Sequence, residues 1–277
     1  MRRLKRFIRE WFVGPKLLSA LLWFRKFEVA RNVPFRLSGV RLDWKDKTES
    51  SLHELRVATQ GEVVWIPLTK VRTVYGLAFS IEQHPFVRYL RDGFPTLLKF
   101  YQLHQPSSLS ELFFLSNGDT PIRKDSHSNR VWPWASGSQS KHFVHMPGTM
   151  ASNRRQESRA WSDALRLDHI FRSVVRRGFW MPENDAPTYF ILVDDVNPVA
   201  DHRVVLVQGS HRVSVLAFLD WRLIPMTPEF CYSTPEIRRS HLKSWPGVVD
   251  GTFSHESAEQ IFLAFFRSEQ GVLLSEW

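Results

Sequence analysis

The stretch from Thr188 to Met226 constrains what this chain can fold into more than any other. Thr188-Tyr-Phe-Ile-Leu-Val193 is a continuous apolar run of strand-forming residues and reads as a buried strand. Asp194-Asp-Val-Asn-Pro198 is rich in turn formers, and Arg203-Val-Val-Leu-Val207 is the returning strand. After Gly209-Ser210 comes a mostly apolar helix, Val213 to Leu219, and Trp221-Arg222 leads into the short strand Leu223-Ile-Pro-Met226. A strand that ends on Gly-Ser-His-Arg and runs directly into a helix has a chemical consequence. The first backbone N–H groups of the helix lack intrahelical partners and carry the positive end of its dipole. Gly209 lets a ligand approach the backbone, Ser210 can cap and donate, and His211 and Arg212 add cationic donors. Such a set suits a phosphate. The same string also serves as a plain strand-to-helix turn.

Elsewhere the pattern is coarser. Residues 33–80 read as extended segments separated by turns, with Leu37–Leu42 and Glu62–Leu68 the clearest strands and Thr59-Gln-Gly61 a turn before the second. From Ile81 to Leu115 the spacing becomes helical, interrupted at Asp92-Gly-Phe-Pro95. Residues 116–141 are dominated by Ser, Asn, Asp, Gly, Pro and Lys, the composition of an exposed linker or mobile loop. Asp163 to Arg177 is a helix stopped by Gly178, and His255 to Arg267 is another, with Ser254 as its N-cap. Eleven tryptophans suit a large core, with sugar stacking and membrane interfaces as their other uses. The single cysteine, Cys231, excludes an internal disulfide framework and any cysteine-rich zinc site, and it fits a reducing compartment. His84, His104 and His145 have no metal-ligand spacing.

The net charge of +9 suggests a nucleic-acid binder until it is located. Residues 1–31 hold nine bases and two acids, a net of +7, and the remaining 246 residues hold 28 bases and 26 acids, a net of +2. A duplex-binding domain spreads positive charge over a recognition face, so a near-balanced body argues against nucleic acid as partner. The basic end is amphipathic. Wound as a helix, Leu4, Phe7, Ile8, Trp11 and Phe12 fall within an arc of roughly 140°, opposite Arg2, Arg3, Lys5, Arg6 and Arg9. Gly14-Pro15 breaks it, and neither apolar run there approaches the ~20 residues that span a bilayer. Basic residues facing Phe, Trp and Leu suit a helix lying on an anionic membrane surface. The alternative is a terminal helix packed on its own domain.

Taken together, Arg203-Val-Val-Leu-Val-Gln-Gly-Ser-His-Arg212 and Leu223-Ile-Pro-Met226 resemble the ParB/sulfiredoxin superfamily. In that superfamily a helix, a hairpin, a Gly-x-His-Arg-type turn, a helix and an Ile-Pro strand follow one another. Its members include CTP-dependent DNA clamps, ATP-dependent sulfinic-acid reductases and kinases of free serine. The resemblance covers about 60 residues and implies that Gly209, Ser210, His211 and Arg212 bind nucleotide phosphates. It implies ATP or another nucleotide as cofactor, with Mg2+. Gln208 stands where many members have Asp, which bears on catalysis. Ser210 stands where the reductases have Cys, which argues against sulfinic-acid reduction. The kinase-like members take a Glu upstream of the hairpin as base, and Glu157 lies in that interval, where an exposed helical Glu is the alternative. Asp194 and Asp195 are candidates for Mg2+ at a strand end, or simply turn residues. His84-Pro-Phe-Val-Arg-Tyr-Leu90, Ser244-Trp-Pro-Gly-Val-Val249 and the Ala258…Ile261-Phe262 helix further resemble uncharacterised ParB-like proteins encoded among bacterial surface-polysaccharide genes.

The expectation is an α+β protein in four parts: a basic amphipathic helix (1–31), a small α+β region (32–118), a polar linker (119–141) and a ParB/sulfiredoxin-like domain (142–277). Its expected role is a nucleotide-dependent phosphotransferase acting on a small-molecule or sugar hydroxyl of a glycan precursor. His211 and Glu157 are the expected catalytic residues, and the location is cytoplasmic, on the inner face of the membrane. A non-catalytic nucleotide-binding scaffold and a DNA-binding regulator are the alternatives.

Overall fold

The computed structural model describes residues 35–37, 40–42, 46–59, 61–104, 106, 108–115, 132–135, 153–181, 186–229 and 236–267. The amphipathic segment, most of the polar linker and Cys231 lie outside them. In chain order the elements are β1 (Phe35–Leu37), β2 (Val40–Leu42), α1 (Leu52–Val57), β3 (Val64–Pro67) and β4 (Val71–Arg72). They continue with α2 (Pro85–Asp92), α3 (Phe94–Leu103), α4 (Leu109–Leu112), α5 (Asn153–Arg177) and β5 (Phe179–Met181). The last are β6 (Thr188–Asp194), β7 (Asp201–Gln208), α6 (Ser210–Phe218), β8 (Leu223–Pro228), β9 (Glu236–Arg238), α7 (Pro246–Val249) and α8 (His255–Ala264).

The protein is a mixed α/β structure built on an open sheet in the order β3-β8-β6-β7-β4, with β9 also paired to β6. β6 and β7 are the antiparallel hairpin read from the sequence, with Ile191 opposite Val204. β6 runs parallel to β8 at Thr188 and Tyr189 and parallel to β9 from Ile191 to Val193. The segments on the two sides of the expected linker share this sheet: β3 pairs antiparallel with β8, and β4 pairs parallel with β7. A smaller sheet, β2-β1-β5, joins them again, since β1 runs parallel to β5.

β6 is buried on both faces because its side chains alternate between two cores. Tyr189, Ile191 and Val193, with Val204 and Leu206 of β7, pack against α2, α3, α5 and α6. Phe190, Leu192 and Val205 face the other way, onto Trp132, Trp134, Trp245 and the buried stripe of α8. Trp65 and Trp221 are buried as well, so at least five of the tryptophans serve the core.

Several elements differ from expectation. The stretch 37–42 is not one strand but parts of two, β1 and β2, paired antiparallel. Residues 33–80, expected to be extended, contain the helix α1. Ser51 accepts from the Glu54 N–H while Glu54 accepts from the Ser51 N–H, a reciprocal capping box. Arg56 ties this helix to Glu236 of β9 at 2.6 Å. The helix expected from Asp163 starts ten residues earlier, at Asn153. Its early turns bury Gln156 and Ala160, small or polar positions that leave little apolar periodicity to read. Gly93, at φ 88°, separates α2 from α3 as the Asp92-Gly-Phe-Pro95 break predicts.

Candidate functional site

The turn between β7 and α6 is where the sequence places it. Gly209 has φ 91° and ψ 17°, a left-handed conformation that a residue with a side chain adopts only under strain. It also passes close to Pro187, whose Cα would sit 3.0 Å from an added Cβ. Gly209 is therefore required by the fold itself, on the side facing Pro187. As N-cap it supplies no side-chain hydrogen bond, so α6 begins uncapped by its own residue. Ser210 does not cap either. Its carbonyl accepts the Ser214 hydroxyl at 2.7 Å. Gln208 is exposed, and Gly209 through Arg212 are partly exposed, so the turn is open to solvent.

His211 is held by two contacts. Its Nε2 lies 2.9 Å from Asp163 Oδ1, on the middle of α5. The second oxygen of Asp163 accepts a hydrogen bond from the Tyr101 hydroxyl of α3. Phe86 of α2 stacks on the imidazole, with ring centroids 4.6 Å apart and planes 21° from parallel. Arg159, one turn earlier on α5, adds positive charge felt by both Asp163 and Tyr101. Burial alone would push the Asp163 carboxyl up. Hydrogen bonds from His211 and Tyr101, with the positive charge of Arg159, outweigh it and hold the carboxyl below the ordinary carboxylate range. Burial and the neighbouring Asp163 charge raise the Tyr101 hydroxyl, which stays a donor.

Beneath this group lies a second imidazole. His84 is the N-cap of α2, and its Nδ1 accepts the Phe86 N–H at 3.2 Å. Its ring is stacked on Phe79 at 4.3 Å and meets Phe86 edge-on at 5.4 Å. The Ser214 hydroxyl is 3.4 Å from the same Nδ1. Burial, and then the proximity of His211, push His84 down to about 3, so it is neutral at physiological pH. His84 thus supports the ring that supports His211.

Glu157 is exposed on α5 and is not brought to His211. Six residues separate it from Asp163, a rotation of roughly 240° around the helix axis, so the two carboxylates leave different sides. Asp194 and Asp195 do not fit a metal: their carboxylates are already engaged within the protein. Asp194 is held by Arg239 at 3.2 Å and Asn197 at 2.6 Å, and Asp195 by the Ser240 N–H and hydroxyl. Among the described residues no group of three or more His, Cys, Asp or Glu is arranged to hold a metal ion. The proposed membrane-surface residues Arg2, Arg3, Lys5, Arg6, Phe7, Arg9, Trp11 and Phe12 lie outside the described residues, among which no helix is long and apolar enough to cross a membrane.

Sequence reasoning gives Asp163 and Tyr101 no role at the site and weighs His84 only as a metal ligand and as part of a family resemblance. Asp163 enters it only as the first residue of a helix. Its signal is visible only once the helix is extended back to Asn153, which makes it a carboxylate beside the buried stripe Ala160, Ala164 and Leu167. Comparison with protein-family models, curated proteins and solved structures finds no match to this chain.

Proposed function

We propose that this protein is a ParB/sulfiredoxin-like phosphotransferase that moves a phosphoryl group from ATP or another nucleoside triphosphate to a hydroxyl of a small molecule or glycan precursor. The observation that carries the reading is the turn at the start of α6. A left-handed glycine, a helix uncapped by its own N-cap side chain, and Arg212 in the first turn meet at a solvent-open point, with His211 beside them. Helix termini of this kind bind phosphate through backbone N–H groups and cationic side chains. The order hairpin, glycine turn, helix, parallel strand supports the superfamily resemblance. Mg2+ would arrive with the phosphates of the nucleotide, since Asp194 and Asp195 are otherwise engaged.

Arg212→Ala is expected to weaken ATP binding about tenfold or more, as a charge-assisted contact is worth ~1.5–3 kcal/mol. Calorimetric titration of parent and variant with ATP, ADP and CTP measures this, and equal affinities would remove the turn from the phosphate site. Gln208, exposed where many superfamily members carry Asp, favours the non-catalytic scaffold as second reading. Binding of ATP by the parent without turnover is the outcome that selects it.

The basic segment 1–31 supports a cytoplasmic location on the inner face of the membrane. The parent is expected to co-sediment with anionic vesicles at low salt, and to be released by high salt or by Phe7→Glu with Trp11→Glu. A parent indifferent to anionic lipid removes this part of the proposal.

A further inference from the structure

We propose that His211 and Asp163 form an acid–base dyad in which His211 Nδ1 takes the proton of the acceptor hydroxyl. This deepens the phosphotransferase reading and rests on it. An ionised carboxylate only accepts hydrogen bonds. Asp163 receives the Tyr101 hydroxyl on one oxygen and faces His211 Nε2 at 2.9 Å with the other. The proton of a neutral His211 therefore sits on Nε2, and the lone pair is left on Nδ1. Nδ1 makes no hydrogen bond among the described residues, and it is not one of the buried polar atoms lacking a partner, so solvent reaches it.

The ring is also fixed in orientation. Phe86 stacks on it, and Phe86 is set by the hydrogen bond from its own N–H to His84. Among the described residues the charged and titratable groups around the imidazole are Asp163 and Arg159 from α5, Tyr101 from α3, His84 at the start of α2 and Arg212 on α6 itself. Of these, only Asp163 is an anion and only it is hydrogen-bonded to His211. A neutral imidazole with its lone pair outward is poorly suited to a phosphate oxygen, which needs a donor. It is well suited to a hydroxyl, which needs an acceptor. This separates the labour of the turn: Arg212 and the backbone N–H groups face the phosphates, and His211 faces the acceptor.

The step balances as follows. The acceptor O–H bond breaks and its proton goes to Nδ1. The oxygen forms a bond to the γ-phosphorus of the nucleoside triphosphate. The bond from that phosphorus to the β,γ-bridging oxygen breaks, and its electron pair leaves with the nucleoside diphosphate. The imidazolium is stabilised by Asp163 until its proton returns to solvent. His211 is the catalytic residue and Asp163 a positioning residue that acts through it.

Three measurements on the full chain test this, with water as the acceptor probe and ATP as donor. In 15N-histidine spectra, neutral His211 is expected as the Nε2–H tautomer in the parent and as a mixture in Asp163→Asn. In ATP hydrolysis, His211→Ala and Asp163→Asn are expected to lower kcat by about 100-fold, within the usual range for a lost general base, with KM little changed. Asp163→Glu should recover part of the loss. In ATP titration both variants should retain the parent's Kd within about threefold, the mark of a group that acts on the acceptor. A parent that binds no ATP, or binds it without turnover, overturns the phosphotransferase reading itself. A parent that turns over ATP alongside an equally active His211→Ala or Asp163→Asn overturns the dyad alone. Loss of ATP affinity in His211→Ala with kcat preserved also overturns it, by making His211 a phosphate ligand.

Discussion

Acidification from pH 6.5 to pH 4.5 is expected to destabilise the protein by about 2 kcal/mol through His84 alone. In the unfolded chain an imidazole takes up its proton near pH 6.5, whereas the buried His84 does so only near pH 3. Between those values the unfolded state holds one more proton than the folded state. Each unit of acidification then costs about 1.4 kcal/mol, and the contribution is intact above pH 6.5. His104, between Phe100 and Phe114, and His202, buried beside the Lys70 ammonium at 3.3 Å, are both pushed down to about 4 and add to the same slope. Urea midpoints measured across this range give the slope. His84→Asn keeps a side-chain acceptor for the Phe86 N–H and should flatten the slope by one proton, whatever it does to stability at pH 7. An unchanged slope would mean that His84 titrates normally in the folded protein.

The second large effect is expected at Arg239. This guanidinium bridges Asp194, at 3.2 and 3.3 Å, and Glu259, at 2.6 and 3.1 Å. Asp194 is only 3% exposed. Arg239→Ala leaves that carboxylate with Asn197 and the Val196 N–H but no cation from Arg239. Breaking one side of a buried pair costs on the order of 3–5 kcal/mol, most of it the penalty of an uncompensated charge. Adding Asp194→Asn to Arg239→Ala should return much of the loss, because the charge that needed compensation is gone. Lys at 239 should restore less than Arg, since an ammonium cannot fork between two carboxylates. Denaturant unfolding of the single and double variants decides the matter: a loss below 1 kcal/mol in Arg239→Ala, or no recovery in the double variant, would contradict it. Asp195, its neighbour at the same strand end, is engaged separately by Ser240.

What was legible in the sequence is local. The hairpin β6–β7, the turn at Gly209, α6 and β8 were readable because strand periodicity, turn formers and a glycine at a strand-to-helix junction are written within a few residues of one another. The capping box of α1 was equally local, in Ser51 and Glu54, but it lay between strand-like stretches and was passed over. α5 was read too short because Ala160 and Ala164, not large apolar residues, line its buried side. The candidate site was half legible. His211 and Arg212 follow from the turn, whereas Asp163 meets His211 across 48 residues and Tyr101 meets Asp163 across 62. Nothing in the neighbourhood of either residue announces that pairing. Glu157 was the reasonable carboxylate on the same helix, and helical rotation removes it.

The sheet order has a consequence for how the chain acquires its structure. Both outer strands, β3 and β4, come from residues 64–72, while the strands they pair with come from 201–228. Pairings this far apart in sequence are closed late and slowly, because the entropy of a long loop is lost before any contact rewards it. During synthesis from the N-terminus, β3 and β4 emerge long before their partners and wait as bare edges with Val64, Trp65, Ile66 and Val71 uncovered. The two outer strands of the finished sheet are thus aggregation-exposed segments while the chain is being made.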